Sequence, residues 1–510
     1  MKTFKNLFQR ESLAHNIYTA DQVRLVEPRA AELAGVAMYQ LMENAGRAVF
    51  SLLTATYPEA QRIIVLAGHG NNGGDAYVVA RLAIEAGLHC ALCELGNPDK
   101  LSADASLART KWLAAQGAQL DIGKLQLSDF DVCVDGMLGT GVSGVVRAPY
   151  ADVIARLNDQ TIPVVSIDIP SGMHADTGVA NGIAVQANHT CTFIGIKSGL
   201  KTGQGKQLCG QLHFDDLGVG KEFQRLAQQI AKVVDFRNMP AFPGRKINSH
   251  KGMMGKLLCI GGNEQYGGAI RLTAEAALRT GTGLVKVFCH EASRQTVNNT
   301  RPEIMVETRT EQLQQTLGWS DAIVIGPGLG QDSWSIKVLE AALSHCLEQH
   351  KHLVIDADAL NLIAEHQRLV IPQNLAIITP HSGEAARLLK VTATEVESDR
   401  YKAATRLTQT FKTVSVLKGP GTLITSQGNT WVCENGNPGM ATGGMGDVLS
   451  GVLGALLSKG ISNRLSALYG VCLHSHAADI AAQENGEIGL LASDLFPYIR
   501  KLVNTEKTDA

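Results

Sequence analysis

The chain has 510 residues, 45% of them hydrophobic, and 46 Lys and Arg against 48 Asp and Glu leave a net charge of −2. That length suits two to four domains, and the lack of a basic excess, with aromatics at 5%, argues against nucleic acid as a partner. No apolar run approaches the ~20 residues that span a bilayer. No signal peptide follows Lys2, Lys5 and Arg10, and the ten cysteines lack framework spacing, so a reduced, cytoplasmic protein is expected.

In chain order, Arg62–Ala67, His89–Leu95, Asp131–Asp135 and Val164–Ile169 read as strands, with helical patterns over Asp75–Ala86 and Ala103–Ala115 between them. Near-continuous apolar strands alternating with helices predict an α/β fold with a mainly parallel sheet. Cys90 and Cys93 fall in one alternating run with no second pair nearby, so a redox or zinc role has little support. The first strand ends in Gly68-His-Gly-Asn-Asn-Gly-Gly-Asp75, a glycine turn opening a helix. Later strands end in Asp135-Gly-Met-Leu-Gly-Thr-Gly-Val-Ser-Gly144 and Asp168-Ile-Pro-Ser-Gly172. Carboxyl ends of parallel strands share one edge, where ligands bind. Asn72, Asp135 and Ser171 offer oxygens to a hard cation, and Asp168 is a further oxygen free for a substrate.

Gln224–Lys232 reads as a polar helical segment and Asn238–Lys246 as a linker. Alternation then resumes with strands at Lys256–Ile260, Leu284–Phe288, Ala322–Ile325, Leu353–Asp356, Ala376–Thr379 and Val414–Lys418. The expected domains are 1–220, Rossmann-like, and 251–510, ribokinase-like, joined by 221–250. In the second, Gly326-Pro-Gly-Leu-Gly330 permits close backbone approach to a ligand, with Gly328 and Gly330 as contacts. His381 lies between a strand end and a helix start, whereas His474 and His476 read as structural. Lys418-Gly419-Pro420-Gly421-Thr422 offers amides and a cation to a phosphate. The richest stretch runs from Gly436 through Asn437, Gly439, Met440, Ala441, Thr442, Gly443, Gly444 and Gly446 into a helix, amphipathic by spacing, that starts at Met445. A helix N-terminus behind glycines suits a phosphate. A carboxylate there, Asp447, suits a base that deprotonates an attacking hydroxyl.

The N-terminal motifs, from Tyr18-Thr-Ala-Asp-Gln-Val to about Lys206, resemble the NAD(P)H-hydrate epimerases. The resemblance implies that Asn71, Asn72, Gly73, Gly74 and Asp75, the loop Gly139, Thr140, Gly141, Val142, Ser143, Gly144 and Val145, and Asp168 bind NADHX or NADPHX. It implies K+ on Asn72, Asp135 and Ser171. Ala76 departs from the family's usual Gly. From Ser249 to about Pro497, including Tyr266-Gly-Gly-Ala269, the chain resembles the ribokinase-like NAD(P)H-hydrate dehydratases. Substrate contacts are then expected at Ala269, Gly328, Gly330, His381 and Asp447, with ADP and Mg2+ on the Lys418–Thr422 and Asn437–Gly446 loops. Ser382 replaces a frequent Pro.

Both domains on one chain resemble the bacterial bifunctional repair enzymes, with ADP as phosphoryl donor, AMP and phosphate as products, and a homo-oligomeric assembly. The implied function is interconversion of the R and S hydrates and dehydration of the S form to NAD(P)H. Asp168 would shuttle the epimerase proton, with Lys197 as the weaker candidate. The rival is a sugar or vitamin-precursor kinase fused to a nucleotide-binding interaction module.

Overall fold

The structure, a computed structural model, describes residues 13–142, 144–242, 244–299 and 301–505. The chain folds as two compact units, one ending at Lys232 and the other starting at Val233. None of the described helices is long and apolar enough to cross a membrane.

The N-terminal unit contains β1 (Asn16–Tyr18), β2 (Arg62–Ala67), β3 (His89–Glu94), β4 (Ala118–Gln119), β5 (Val132–Gly136), β6 (Val164–Ile167), β7 (His189–Phe193), β8 (Ile196–Lys197) and β9 (Gln211–Asp215), and its chain leaves through β10 (Ala231–Val234). Seven strands form one sheet in the order β4-β3-β2-β5-β6-β7-β9. Every pairing in it is parallel. Val65 and Val134 face one core and Leu66 and Cys133 another, as a sheet covered on both faces requires. Cys90 and Cys93 are three apart on β3 and so fall into opposite cores, where both are free thiols.

The segment Gln224–Lys232 is not a continuous helix. A helix spans Gly220–Leu226, and Ala231 then pairs with Ile17 in an antiparallel ladder. Its last residues, Ala231 and Lys232, run into the β-branched Val233 and Val234 and find a strand partner that local periodicity could not reveal.

The C-terminal unit adds β11 (Lys256–Ile260), β12 (Leu284–Phe288), β13 (Ile304–Glu307), β14 (Ala322–Ile325), β15 (His352–Ile355), β16 (Ala376–Ile378), β17 (Val414–Leu417), β18 (Leu423–Ser426) and β19 (Asn429–Cys433). They run in the order β13-β12-β11-β14-β15-β16-β17-β18-β19. Pairing is parallel up to β17 and antiparallel from there to β19. Helix Met445–Ser458 is buried along almost its whole length rather than amphipathic. It packs against helices Gly267–Arg279 and Asn463–Asn485 and over β14 and β15. At Gly451 a Cβ would come 2.1 Å from the Thr273 carbonyl oxygen, so the glycine lets the two helix backbones touch.

Candidate active sites

In the N-terminal unit, β2 ends in a turn at Gly68 from which helix Asn71–Glu85 begins. Asn71, Asn72, Asp75, Gly139, Thr140, Gly141, Val142 and Asp168 line one cavity of about 450 Å3. Gly73 and Gly74 are outside its lining and serve packing: a Cβ would meet the Gly68 carbonyl oxygen at 1.9 Å from the first and the Met42 side chain at 2.5 Å from the second. Gly144 and the exposed Val145 are also outside it, and Ser143 lies outside the described residues.

Asp135, at the end of β5, is fully buried. Its carboxylate accepts from the Ser171 hydroxyl at 2.5 Å, the Ser171 amide at 2.9 Å and the Ser166 hydroxyl at 2.8 Å. Burial raises its pKa, and the Ser171 and Ser166 hydrogen bonds offset only part of that rise. Among the described residues no cationic side chain pairs with it. Asn72 donates to the carbonyl oxygens of Leu138 at 3.2 Å and Ile167 at 2.8 Å, and the Ser171 hydroxyl also reaches Leu138 O at 3.2 Å. Asn72 and Ser171 therefore share the Leu138 carbonyl, and Asp135 joins them through Ser171, so the three side chains gather oxygens and a buried carboxyl that a monovalent cation would suit.

Asp168 follows β6 with φ of 63°, a conformation rare outside glycine and common at functional sites. Its Oδ1 receives Lys197 Nζ at 2.5 Å, Thr192 Oγ1 at 3.0 Å and the Phe193 amide at 3.2 Å. Lys197 is buried on β8, opposite Tyr18, and also donates to Phe193 O at 3.0 Å. Asp75 is buried against the same cavity, and its carboxyl has no hydrogen bond among the described residues. Burial, then the Asp168 and Glu27 charges, hold it well above the usual carboxylate range, against the pull of Lys197. The cavity thus combines the Asp168–Lys197 ion pair with the Asp75 carboxyl, whose pKa burial raises.

In the C-terminal unit the site gathers at the carboxyl ends of β14 to β17. Gly328 meets helix Gly267–Arg279 beside Ala269, where a Cβ on the glycine would lie 3.2 Å from the Ala269 Cβ. The Gly330 amide donates to Asp358 at 2.9 Å. β15 delivers Asp356, which is 1% exposed, and Ala357 follows with φ of 49°. His381 caps helix Ser382–Leu389: its Nδ1 accepts the Gly383 amide at 3.0 Å, and Glu384 accepts the His381 amide at 2.8 Å. Burial, then Lys418 and Arg387, lower the His381 pKa, which keeps the ring neutral and able to accept.

β17 is followed by Lys418, whose ammonium lies 2.7 Å from Asp356 and 3.8 Å from Glu384. Burial opposes its charge, but Asp356, Glu384 and Asp447 outweigh burial and raise its pKa. Gly419 is backed by the guanidinium of the buried Arg400, which donates to Lys418 O at 3.1 Å. Thr422 turns its hydroxyl back to Gly419 O at 3.0 Å. The Asn437 side chain is spent on the loop itself, donating to Asp479 at 2.9 Å and accepting the Gly439 amide at 3.0 Å.

Gly444 enters the helix with φ of 91°, in the left-handed region. Asp447 sits in the first turn that follows. Burial, then the Asp356 charge, raise its carboxyl to about 7, with Lys418 pulling it down. A base whose pKa sits near neutrality is matched to proton abstraction at physiological pH.

The family model described as NAD(P)H-hydrate dehydratase matches residues 257–501, and that of the YjeF-related protein N-terminus matches 38–199. The bifunctional NAD(P)H-hydrate repair enzyme Nnr of Escherichia coli (strain K12) is 42% identical over 508 residues, covering 98% of this chain and 96% of its own. The enzyme of that name from Coxiella burnetii is also 42% identical, over 96% of this chain and 99% of its own. This chain belongs to the bifunctional NAD(P)H-hydrate repair enzymes. It pairs an epimerase domain with a dehydratase domain. Among solved structures, the ADP/ATP-dependent NAD(P)H-hydrate dehydratase from Bacillus subtilis, co-crystallised with ATP and Mg2+, is 28% identical over 52% of this chain and 94% of its own, with a TM-score of 0.47.

Several residues of this repair enzyme's two sites stand out only in three dimensions. Asp356 lies in the strand-ending run Asp356-Ala-Asp-Ala-Leu-Asn361 that the sequence already offers as a site feature, without its partners, whereas Glu384 looks like a cap residue in isolation. The strand-ending Asp356-Ala-Asp358 and the capping-box spacing of His381 and Glu384 were the available signals. Ser450, which donates to Asp356 at 2.8 Å from inside the helix, carries no local signal at all. Glu27 joins the epimerase cavity from helix Ala20–Ala34, far ahead of the first glycine turn in the chain.

Proposed function

We propose that the two units divide the repair reaction between the residues described above. In the epimerase cavity the Asn71–Asp75 turn and the Gly139–Val142 loop hold the hydrated cofactor. Asp168 and Lys197 shuttle the proton that accompanies reversible ring opening, or loss and return of the hydroxyl, at the hydrated carbon, and Asp75 serves as the neutral acid. K+ would be held by Asn72, Asp135 and Ser171, and its chemical contribution is to balance the buried charge that shapes the Gly139 loop.

In the dehydratase site Lys418 and the amides of its loop, with the Gly443–Gly446 turn, bind the phosphates of ADP. Asp356, Glu384 and Asp447 act on one lysine, and Asp358 adds its charge beside Asp447. This excess of negative charge fits Mg2+ arriving with the nucleotide. Mg2+ supplies neutralisation of phosphate charge. Asp447 takes the proton from the C6 hydroxyl of the hydrate as its oxygen attacks phosphorus, so the P–O bond to AMP breaks. The ring nitrogen's lone pair then expels inorganic phosphate from C6, and loss of a C5 proton to the departing phosphate forms the C5–C6 double bond and restores the dihydropyridine. The observation that carries this reading is Asp447 in the first helical turn, its carboxyl near neutrality and electrostatically coupled to Lys418 and Asp356.

The test supplies mixed hydrate epimers with ADP or ATP and measures NADH, inorganic phosphate and AMP. Stoichiometric AMP, phosphate and NADH from ADP are expected. A stable phosphoester, or turnover with ATP alone, would favour the small-molecule kinase instead. A homo-oligomer in the cytoplasm is part of the same reading.

A further inference from the structure

The C-terminal unit contains a cavity of about 1260 Å3 that shares no residue with the dehydratase site. It lies beside the amino ends of β11, β12 and β13, where Met254, Gly281 and Glu303 line it. The reactive loops lie at the carboxyl ends. Helix Met445–Ser458 connects the two ends: Asp447 is in its first turn, and Lys459, just past its last, lines the cavity. At 1.5 Å per residue the separation is roughly 20 Å.

The lining includes Arg245, Arg279, Arg301, Lys459, Arg500 and Lys501 against only Glu275 and Glu303, in a chain whose net charge is −2. Part of this charge has local partners. Glu275 holds Arg301 at 2.6 Å and Arg279 at 3.5 Å, Lys459 donates to Thr280 O at 2.9 Å, and Arg245 donates to Gly281 O at 3.1 Å. The last two are the usual cations at a helix C-terminus. Arg500 and Lys501 stand in the last turn of helix Leu495–Leu502, where the helix dipole favours them, but they are exposed at the rim and have no acidic partner among the described residues. The crowding is costly to the lysine: burial, then the Arg245 charge, pull Lys459 down to about 7. Its ammonium also lies over the Phe242 ring, 4.3 Å from the centroid, and Leu278 and Met254 add apolar wall.

We infer that this cavity is a binding site for an organic phosphate, a multiply charged phosphate group joined to a flat or apolar body. Converging cations would hold the phosphate, and Phe242 and Leu278 would cover the body. Three helix ends aim their cations into one open space, and such cations repel one another at a cost to stability that a polyvalent anion reverses, as in other binding sites built against stability.

The experiment titrates inorganic pyrophosphate into the full chain by calorimetry. Two binding events are expected, one at each phosphate site. Arg500→Gln, at an exposed position, and Lys459→Met should each weaken one event about tenfold, and Lys418→Met should weaken only the other. Phenyl phosphate should bind the cavity more tightly than inorganic phosphate, and Phe242→Ala should erase the difference. A pyrophosphate profile unchanged by Arg500→Gln and Lys459→Met would overturn the site. Equal affinities for phenyl and inorganic phosphate would overturn the organic ligand.

Discussion

The two reaction sites handle a buried carboxylate in opposite ways. Asp135 in the first unit is satisfied by hydroxyls and amides, without a cationic side chain among the described residues. Asp356 in the second is matched by a lysine at 2.7 Å and a serine at 2.8 Å. On the proposed reading, the first arrangement leaves a charge for K+ to balance. The second fixes an ammonium at the proposed phosphate site, and burial, then the Asp356 charge, raise the neighbouring Asp447 while Lys418 pulls it down. On the proposed reading each pattern suits its chemistry: reversible loss of a hydroxyl with its proton in one, phosphoryl transfer in the other.

The largest effect should come from Asp447→Asn. Loss of a general base costs about 10²–10⁴ in rate, so single-turnover NADH formation should fall by at least ~10²-fold while the epimers still equilibrate. Undiminished dehydration would remove Asp447 from the mechanism. Next in size, Lys418→Met leaves Asp356 buried and unpaired, a change worth about 3 kcal/mol of stability in urea unfolding. Lys418→Met with Asp356→Asn should recover most of it, although neither protein should bind ADP normally. If the double variant were no more stable than the single, the pair would not be the source of the loss.

On the epimerase side, Lys197→Met should slow interconversion of the hydrates by roughly 10–100-fold, the lower range for acid–base assistance, with nucleotide-dependent turnover of the S form intact. Proton exchange between epimers, followed by NMR, reads this directly. A smaller effect is expected for Asp135: replacing Na+ with K+ should raise the melting temperature of the wild type by a few degrees, following the mass-action gain of a ligand bound only when folded. Asp135→Asn should abolish that increment, and an identical K+ response in the variant would detach the ion from this carboxylate.

The pH dependence sharpens the comparison further. Asp447 is a base only when ionised, and its folded pKa near 7 lies above the unfolded value. kcat/KM for dehydration should therefore rise as pH increases through about 7 and then level off. The sign for stability is the reverse: the folded state holds the extra proton between the unfolded pKa and about 7, so this group's contribution to stability falls as pH rises through that window. Asp447→Asn should flatten both curves.

Local pattern went far here. The strand Lys256–Ile260 and the helix beginning at Met445 appear where apolar periodicity puts them, and glycine-rich turns lead into the helices whose first turns carry Asn72 and Asp447, while Asp168 and Lys418 directly follow strands. Those features are legible because buried parallel strands must be apolar and backbone close to a ligand must lack side chains. The helix after Gly444 also shows the limit of that reading. Its spacing suggests one apolar stripe, yet neighbours surround it, and only their packing makes Gly451 and Ser450 intelligible.

By itself, then, the sequence determined two α/β units, the loops of both sites and the candidate base, all of which depend on residues close together along the chain. Tertiary structure decided what depends on residues far apart. It gave Asp356 the Lys418 ammonium and Asp168 the Lys197 ammonium, made Asp75 an acid by burying it beside another carboxylate, and turned Ala231 and Lys232 from helical pattern into strand. The physical reason is that charge state and pairing follow from burial and from neighbours in space, and neither is encoded in the spacing of the residues that respond to them.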